Sequence, residues 1–267
     1  MRIILAYARD SWRRWQTPVL CGRSASRTNG VKPVLIRQHE EVTPPGLLVD
    51  WLRERGIPFE VNPSYLGVAA PDLTNYSFVA SLGSPYGPND THETAVVEEL
   101  KLIETAVESE IPVLGLCFGG EALAAVLGGR VERAPVPELG WREIETDDPA
   151  AVPAGPWLEW HYERFTTPPS AIEVARTADA VQAFRFGPHL GVQFHPESTV
   201  EIISHWASMD ARHLAEIGIE DGAALLAASP ECKAAAKSAG FRLFDAFLDA
   251  AMQYIVRESG GDAGGKE

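Results

Sequence analysis

The stretch that decides the fold is PVLGLCFG, which runs from Pro112 to Gly119. Its first half is a short apolar run of the kind that forms a buried strand. Its second half, from Gly115 to Gly119, has the form G-x-C-x-G, and an alanine- and leucine-rich segment typical of a helix follows it. A glycine-flanked residue between a strand and a helix is typical of the sharp turn that projects a nucleophile. The stretch therefore predicts an α/β fold with Cys117 at the tip of such a turn.

The position of Cys117 favours a reactive thiol over a structural one. Unpaired N–H groups and the helix dipole at a helix N-terminus stabilise an anion, here a thiolate. The next N–H group, on Phe118, can bind the oxyanion of a tetrahedral intermediate. A buried structural cysteine that only happens to follow a strand is the alternative, but the predicted strand and helix on either side favour the nucleophile.

A candidate base for this thiol follows the apolar run that ends at Phe194. This residue is His195, and Glu197 comes two residues later. In an extended segment residues i and i+2 point to the same side, and Pro196 restricts His195 to extended conformations. Glu197 can therefore orient the imidazole and stabilise its protonated form, as the third member of a catalytic triad does. Alone, this segment would be interpreted as a loop; together with the cysteine turn it predicts a Cys-His-Glu triad.

The periodicity of the rest of the chain predicts an α/β fold with a mostly parallel central sheet and helices on both faces. Short apolar runs at 33–36, 59–61 and 77–82 predict strands, and amphipathic helical segments separate them. Closely spaced strand-like runs at 172–194 predict antiparallel additions to the same sheet. Residues 199–257 are predicted to be mainly helical.

The chain divides into four predicted parts. Residues 1–31, rich in arginine and serine, are expected to form a poorly ordered extension, with a structural arm and a transit peptide as alternatives. Residues 32–200 form the α/β domain, and 201–256 form a C-terminal helical extension packed on it. Residues 257–267 are a polar, glycine-rich tail that is expected to be disordered. The apolar stripe of the last helix is interpreted as core packing, with a partner-docking face as the alternative.

Composition argues against several functions. The formal net charge is −14, and because the N-terminal stretch is basic, the body is more acidic still, which argues against a nucleic-acid partner. No apolar run reaches the length of a transmembrane helix, so no membrane partner is expected. Three cysteines, Cys21, Cys117 and Cys232, are too scattered for a disulfide framework or a zinc site. We therefore expect no metal and a reduced, cytoplasmic setting.

Three segments, in this order, resemble the class I glutamine amidotransferases. They are GSP at 83–85, PVLGLCFGG at 112–120 and GVQFHPE at 191–197. The chain is similar to free-standing relatives of the glutaminase domain of GMP synthase, and the similarity covers residues 33–200. The resemblance implies a flavodoxin-like fold, hydrolysis of the glutamine side-chain amide, and no metal or organic cofactor.

The resemblance also implies a role for each site residue. Cys117 attacks the amide of glutamine, His195 moves the proton, and water frees glutamate from the resulting thioester. The backbone N–H groups of Ser84 and Phe118 form the oxyanion hole. The residues implied to bind the substrate are Gly83, Glu121 and His161, although a packed structural role for His161 is the alternative.

Two residues depart from the family pattern. Glu121 stands where the family usually has glutamine. It either grips the α-ammonium group of the substrate, selects a different γ-glutamyl compound, or weakens glutamine binding. The alternative is a solvated acid in the first turns of a helix, without a role in the site. Ser84 replaces the second glycine of the oxyanion loop; it keeps its N–H group, but its Cβ makes a positive φ less comfortable. We expect catalysis to be retained.

Three functions remain open from the sequence. The leading one is a glutaminase whose ammonia feeds an acceptor enzyme. Because the chain has no G-x-x-x-x-G-K motif for nucleotide binding, the expected partner is a separate synthetase or acceptor protein. The second is a γ-glutamyl peptide or γ-glutamyl amine hydrolase with the same triad, so the substrate is L-glutamine or another γ-glutamyl compound. The third is a non-catalytic subunit that retains the fold.

Overall fold

The computed structural model describes residues 32–216, 218–219, 227 and 230–261, so the predicted extension at 1–31 and the tail beyond Gly261 lie outside the described residues. The strands are β1 (Val34–Gln38), β2 (Phe59–Pro63), β3 (Val79–Ser81), β4 (Val113–Leu116), β5 (Val131–Arg142), β6 (Glu145–Thr146), β7 (Trp157–Phe165), β8 (Ile172–Arg176), β9 (Val181–Phe186) and β10 (His189–Val192). The helices are α1 (Gly46–Glu54), α2 (Thr94–Glu108), α3 (Phe118–Val126), α4 (Val200–Met209), α5 (Ala211–Glu216) and α6 (Pro230–Gly261).

The central sheet has the strand order β2-β1-β3-β4-β10-β9-β8-β6. Strands β2, β1, β3, β4 and β10 are mutually parallel, and β9, β8 and β6 continue the sheet in antiparallel pairs. This confirms the predicted mostly parallel sheet. Strand β10 was predicted to be an antiparallel addition, and it does pair antiparallel with β9, but it also pairs in parallel with β4. Its short hairpin with β9 brings it back beside β4, where Gly191 pairs in parallel with Gly115.

Helices cover both faces of the sheet, because alternate residues of the parallel strands point to opposite sides. Ile36 belongs to the core on the side of α1 and α6, whereas its neighbour Leu35 belongs to the core on the side of α2 and α3. Helix α6 is part of this core: Phe244 is fully buried and its ring lies 5.5 Å from that of Trp51. The apolar stripe of α6 therefore packs on the domain for most of its length, as predicted.

A second, two-stranded antiparallel sheet of β5 and β7 was not predicted from the sequence. Its Leu139 and Leu158 form a separate apolar cluster with Ile203 and Trp206 of α4. Many residues of β5 are polar or proline, and the pairing shifts register between Arg133 and Glu138, so the strand lacks a regular apolar period.

Two element boundaries differ from the sequence pattern. Asp90 and Glu93 match a capping box, but α2 begins only at Thr94, without a side-chain cap. Asp90 instead accepts a hydrogen bond from the backbone of Gly87, within the preceding loop. The other difference is at the C-terminus, where α6 continues to Gly261 through the first part of the expected tail.

Candidate active site

The candidate site lies where β3, β4 and β10 end side by side. Parallel strands bring their carboxyl ends to the same edge, where ligands bind in open α/β sheets. Cys117 follows β4 directly, with φ 51° and ψ −111°, and is one of the few non-glycine residues with a positive φ in the part of the chain that the structure describes. Its N–H donates to the carbonyl of Val192 on β10 at 2.9 Å. A sterically disfavoured conformation of this kind is typical of functional turns.

Close packing around this turn explains its glycines. A Cβ on Gly119 would overlap the carbonyl of Ser81 at the end of β3. A Cβ on Gly115 would overlap the backbone of Gly119 itself. Since these neighbours are backbone atoms, a larger residue would have to push the strand, the turn or the helix apart.

His195 faces the cysteine and is held from several sides. Its Nδ1 lies 2.8 Å from Oε1 of Glu197, and its backbone N–H donates to the carbonyl of Leu158 at 2.9 Å. The ring of Trp206 packs edge-on against the imidazole, with 4.8 Å between ring centroids. Both His195 and Glu197 are buried, so the imidazole has one orientation, with Nε2 left for the thiol.

The electrostatics of the site favour a charged imidazole. Burial disfavours the imidazolium, but the negative charges of Cys117 and Glu197 and the hydrogen bonds to both outweigh it and hold the pKa of His195 well above its usual value. A thiolate–imidazolium pair is the form in which a cysteine acts as a nucleophile.

The loop after β3 completes one wall of the site. A Cβ on Gly83 would lie 3.1 Å from Cε1 of His195 and 4.0 Å from Cβ of Cys117, so the loop lies directly against both side chains. Ser84 follows, and its hydroxyl accepts a hydrogen bond from the N–H of Tyr86 at 3.1 Å. Phe118, the other residue predicted to supply an oxyanion donor, begins α3 and is buried.

Glu121 lies in the first turn of α3, only 4% exposed, rather than on a solvated surface. Its Oε1 accepts a hydrogen bond from Nε2 of Gln193 at 2.8 Å. Burial, and to a smaller extent the charge of Glu163, raise the pKa of Glu121 to about 7, although the bond from Gln193 and the nearby His161 and His195 oppose the rise. A carboxyl group that titrates near neutral pH thus borders the site.

His161 is enclosed by carboxylates. Its Nδ1 lies 2.7 Å from the carbonyl of Glu163 and must carry a hydrogen to bond it, and its Nε2 lies 3.3 Å from a carboxylate oxygen of Glu138 and of Glu159. Burial opposes the charge, but the two carboxylates and Cys117 outweigh it and raise the pKa of His161 to about 10. The side chain is a buried, ion-paired imidazolium, and a direct role in substrate binding stays a prediction.

Sequence reasoning missed several residues that surround the site: Gln193, Glu159, Glu163 and Trp206. Gln193 precedes His195 by two residues in an extended segment, and Glu159 and Glu163 are each two residues from His161. Since residues i and i+2 of a strand point to the same side, this spacing could have identified the three residues. No local signal marks Trp206, because its contact with His195 comes from α4 folding back over β7.

No cofactor site was predicted, and among the described residues no cluster of three or more His, Cys, Asp or Glu side chains is arranged to hold a metal ion. The described helices include none with the length and apolar character needed to cross a membrane. A cysteine on a strained strand-to-helix turn, facing a buried histidine–carboxylate pair, defines the class of α/β proteins built around a nucleophile elbow.

Comparison with known proteins narrows this class to one family. The sequence profile described as Glutamine amidotransferase class-I matches residues 46–205, more than half of the chain, so the chain belongs to the class I glutamine amidotransferase family. One subunit of the glutamine-hydrolysing GMP synthase of Saccharolobus solfataricus is 33% identical over 165 residues, which are 57% of this chain and 82% of the relative.

Longer relatives contain this unit as one part. The glutamine-hydrolysing GMP synthase of Aeropyrum pernix is 32% identical over 181 residues, which are 61% of this chain, and the chain spans only 33% of that relative's length. Among solved structures, a glutamine amidotransferase from Thermotoga maritima superposes with a TM-score of 0.74 at 28% identity, covering 82% of this chain and 98% of the other.

Proposed function

We propose that the chain hydrolyses the side-chain amide of L-glutamine through a thioester on Cys117 and supplies the ammonia to a separate acceptor enzyme. The observation that carries the proposal is the strained cysteine turn directly opposite the buried pair of His195 and Glu197. Family membership supports an activity on glutamine.

The proposed reaction has two steps. The Cys117 sulfur bonds to the amide carbon, and the tetrahedral intermediate expels ammonia, which takes its proton from His195. Water, deprotonated by His195, then cleaves the thioester, which releases glutamate and restores the thiol. Glu197 orients the imidazole and stabilises its charged form throughout.

The walls of the site have their own roles. The backbone N–H groups of Ser84 and Phe118 stabilise the developing oxyanion, since such fixed donors act where charge appears in the transition state. The residues assigned to substrate binding are Gly83, Glu121 and His161, and Glu121 occupies the position that holds the amino-acid end. The close approach of Gly83 to the imidazole and the burial of Glu121 support this assignment.

The organisation of the relatives supports a separate partner. The Aeropyrum pernix GMP synthase carries the matched region as a third of its chain, whereas the Saccharolobus solfataricus relative is one subunit, with a chain of its own. The relative that is one subunit supports the proposal that another protein carries out the acceptor chemistry.

Ammonia release from L-glutamine by the purified chain is the direct test, with Cys117→Ala beside it and Cys232→Ala as the matched control. Release that Cys117→Ala abolishes and Cys232→Ala preserves is the expected result. Since an acceptor enzyme can be needed for fast turnover, labelling with a glutamine-mimicking electrophile gives a second measure. Mass spectrometry should find the label on Cys117. If the chain shows no turnover and no labelling, the result contradicts the proposal and favours a non-catalytic subunit.

A γ-glutamyl peptide or γ-glutamyl amine hydrolase is the second candidate, and the buried carboxyl group of Glu121 favours it. An acid at this position can select an acyl group or leaving group that carries a positive charge. Assaying a panel of γ-glutamyl amines and peptides against glutamine separates the two. Cleavage of the panel without glutamine turnover would identify the hydrolase.

A further inference from the structure

A buried polar network lies beneath the nucleophile turn, and the reaction steps above do not use it. His39, directly after β1, is its centre: Nδ1 lies 3.1 Å from Oγ of Ser64, and Nε2 lies 3.2 Å from Oγ of Ser81. The imidazole also stands edge-on to the ring of Phe118, with 5.0 Å between centroids. The network therefore touches both the strand that leads to Ser84 and the residue after Cys117.

A buried ion pair fixes the far side of this network. Ser81 Oγ donates to Oε1 of Glu99 on α2 at 2.8 Å, and the other oxygen of Glu99 accepts from Nε of Arg37 at 2.8 Å. Arg37 and Glu99 are almost completely buried, and Arg37 also donates to Asn62 on β2. Breaking a buried pair leaves an uncompensated charge and is strongly unfavourable, so the pair holds its neighbours in one arrangement.

The hydrogen bonds determine the protonation of His39. The Ser64 hydroxyl donates to the carbonyl of Gln38, so it accepts from the imidazole and Nδ1 carries a hydrogen. Burial, assisted by the charge of Arg37 and opposed by Glu99, lowers the pKa of His39. The ring is therefore neutral, Nε2 is an acceptor, and the Ser81 hydroxyl is shared between Nε2 and Glu99.

We propose that His39 is a positioning residue for the oxyanion hole, an inference that rests on the proposed function. It couples the loop after β3, which carries Ser84, to the turn after β4, which carries Phe118. The packing of Gly119 against the carbonyl of Ser81 joins the same two segments on the backbone side. Two N–H donors on different segments act on one oxyanion only if the distance between the segments is fixed. The His39 ring fixes this distance.

Two substitutions separate the two polar contacts of the ring. In His39→Gln the longer side chain places its amide at the position of Nε2 and keeps the contact with Ser81. In His39→Asn the shorter side chain places its amide at the position of Nδ1 and keeps only the contact with Ser64. His189→Asn is the matched control. His189 is also buried, its Nδ1 accepts from the N–H of Val113 at 3.2 Å, and it lies at the opposite end of the sheet from the site.

The first readout is steady-state hydrolysis of glutamine. Because a misplacement of about 1 Å costs about 10²-fold in rate, His39→Asn should lower kcat by about 10- to 100-fold, with KM changed by less than about threefold. His39→Gln should recover most of the loss, and His189→Asn should keep the wild-type kcat. Alkylation of Cys117 by iodoacetamide forms no oxyanion, so its rate should be the same in all four proteins.

The second readout does not depend on turnover. It uses the aldehyde in which –CHO replaces the side-chain amide of glutamine. The Cys117 thiolate bonds to the aldehyde carbon, the carbonyl π bond breaks, and the oxygen becomes an oxyanion while the proton stays on His195. NMR of the labelled aldehyde carbon follows this thiohemiacetal. Its dissociation constant should rise in His39→Asn by about the factor lost in kcat, since both report the oxyanion hole.

The outcomes distinguish this proposal from the proposed function. Wild type that binds the aldehyde and cleaves γ-glutamyl amines or peptides but not glutamine would refute the function, and the aldehyde series would still decide the role of His39. Equal aldehyde binding by wild type and His39→Asn would overturn the positioning role. A parallel loss in His39→Asn and His189→Asn that follows their melting temperatures would also overturn it. If wild type forms no thiohemiacetal, the result contradicts both the oxyanion hole and the positioning role of His39.

Discussion

Replacing Glu121 by glutamine should make the protein more stable, and the gain should depend on pH. The amide oxygen can still accept the hydrogen bond from Gln193, so the substitution removes a charge and keeps the contact. Burial, with a smaller contribution from Glu163, raises the pKa of Glu121 from 4.5 to about 7. Since each pH unit corresponds to about 1.4 kcal/mol, ionised Glu121 costs the folded protein about 3 kcal/mol.

The direction follows from proton linkage. The folded protein binds the Glu121 proton more tightly than the unfolded chain, so this stabilisation is complete below pH 4.5 and is lost as the pH rises through about 7. The amide in Glu121→Gln does not titrate. The difference in unfolding free energy between variant and wild type should therefore grow by about 2.5 kcal/mol between pH 5 and pH 8.

Urea unfolding at pH 5, 6, 7 and 8 measures this difference. The control is Glu98→Gln, which also removes one negative charge but takes it from an exposed position on α2. If the gain for Glu121→Gln is constant across this range, the carboxyl is not held in its neutral form and the reasoning is wrong. Turnover gives a second measure. If ionised Glu121 grips the α-ammonium group, KM for glutamine falls as the pH rises through 7, and this dependence disappears in Glu121→Gln.

Three further substitutions test the triad, the turn and the helical extension. Glu197→Gln should lower kcat by about 10²- to 10⁴-fold while the melting temperature changes little, because the imidazolium of His195 loses its partner. Steady-state ammonia release measures kcat, and a fall in stability that accounts for the lost activity would contradict this prediction. Gly119→Ala should cost at least about 1–3 kcal/mol in urea unfolding, because its Cβ meets the carbonyl of Ser81. Phe244→Ala should cost about 3–5 kcal/mol, since the ring is fully buried; a loss below about 1 kcal/mol would mean that α6 is not part of the core.

Local pattern was sufficient to predict the parallel half of the sheet and the turn at Cys117. Buried parallel strands are almost purely apolar, so runs such as Val34 to Ile36 are visible without any tertiary information. The spatial meeting of Cys117 with His195 could also be predicted, because both follow strands whose carboxyl ends share an edge. Their catalytic roles stay predictions until turnover is measured.

The second sheet and the buried charges could not be predicted in this way. Strand β5 has no regular apolar period, because Pro135 and Pro137 interrupt it where its pairing shifts register. The ion pair of Arg37 with Glu99 joins residues from a strand and a helix that are far apart in sequence, and each residue alone is typical of a solvated surface. Only the folded chain shows that the two charges neutralise each other in the core.

The backbone of Cys117 has a consequence for evolution and engineering. A φ of 51° suits glycine better than any residue with a Cβ, so the chain carries its proposed nucleophile at a position where a side chain weakens the fold. Compared with Cys117→Ala, Cys117→Gly should resist unfolding by on the order of 1 kcal/mol more, although both lack the nucleophile. Selection for thermal stability alone would thus favour an inactive chain, and the thiol persists only where activity is selected as well.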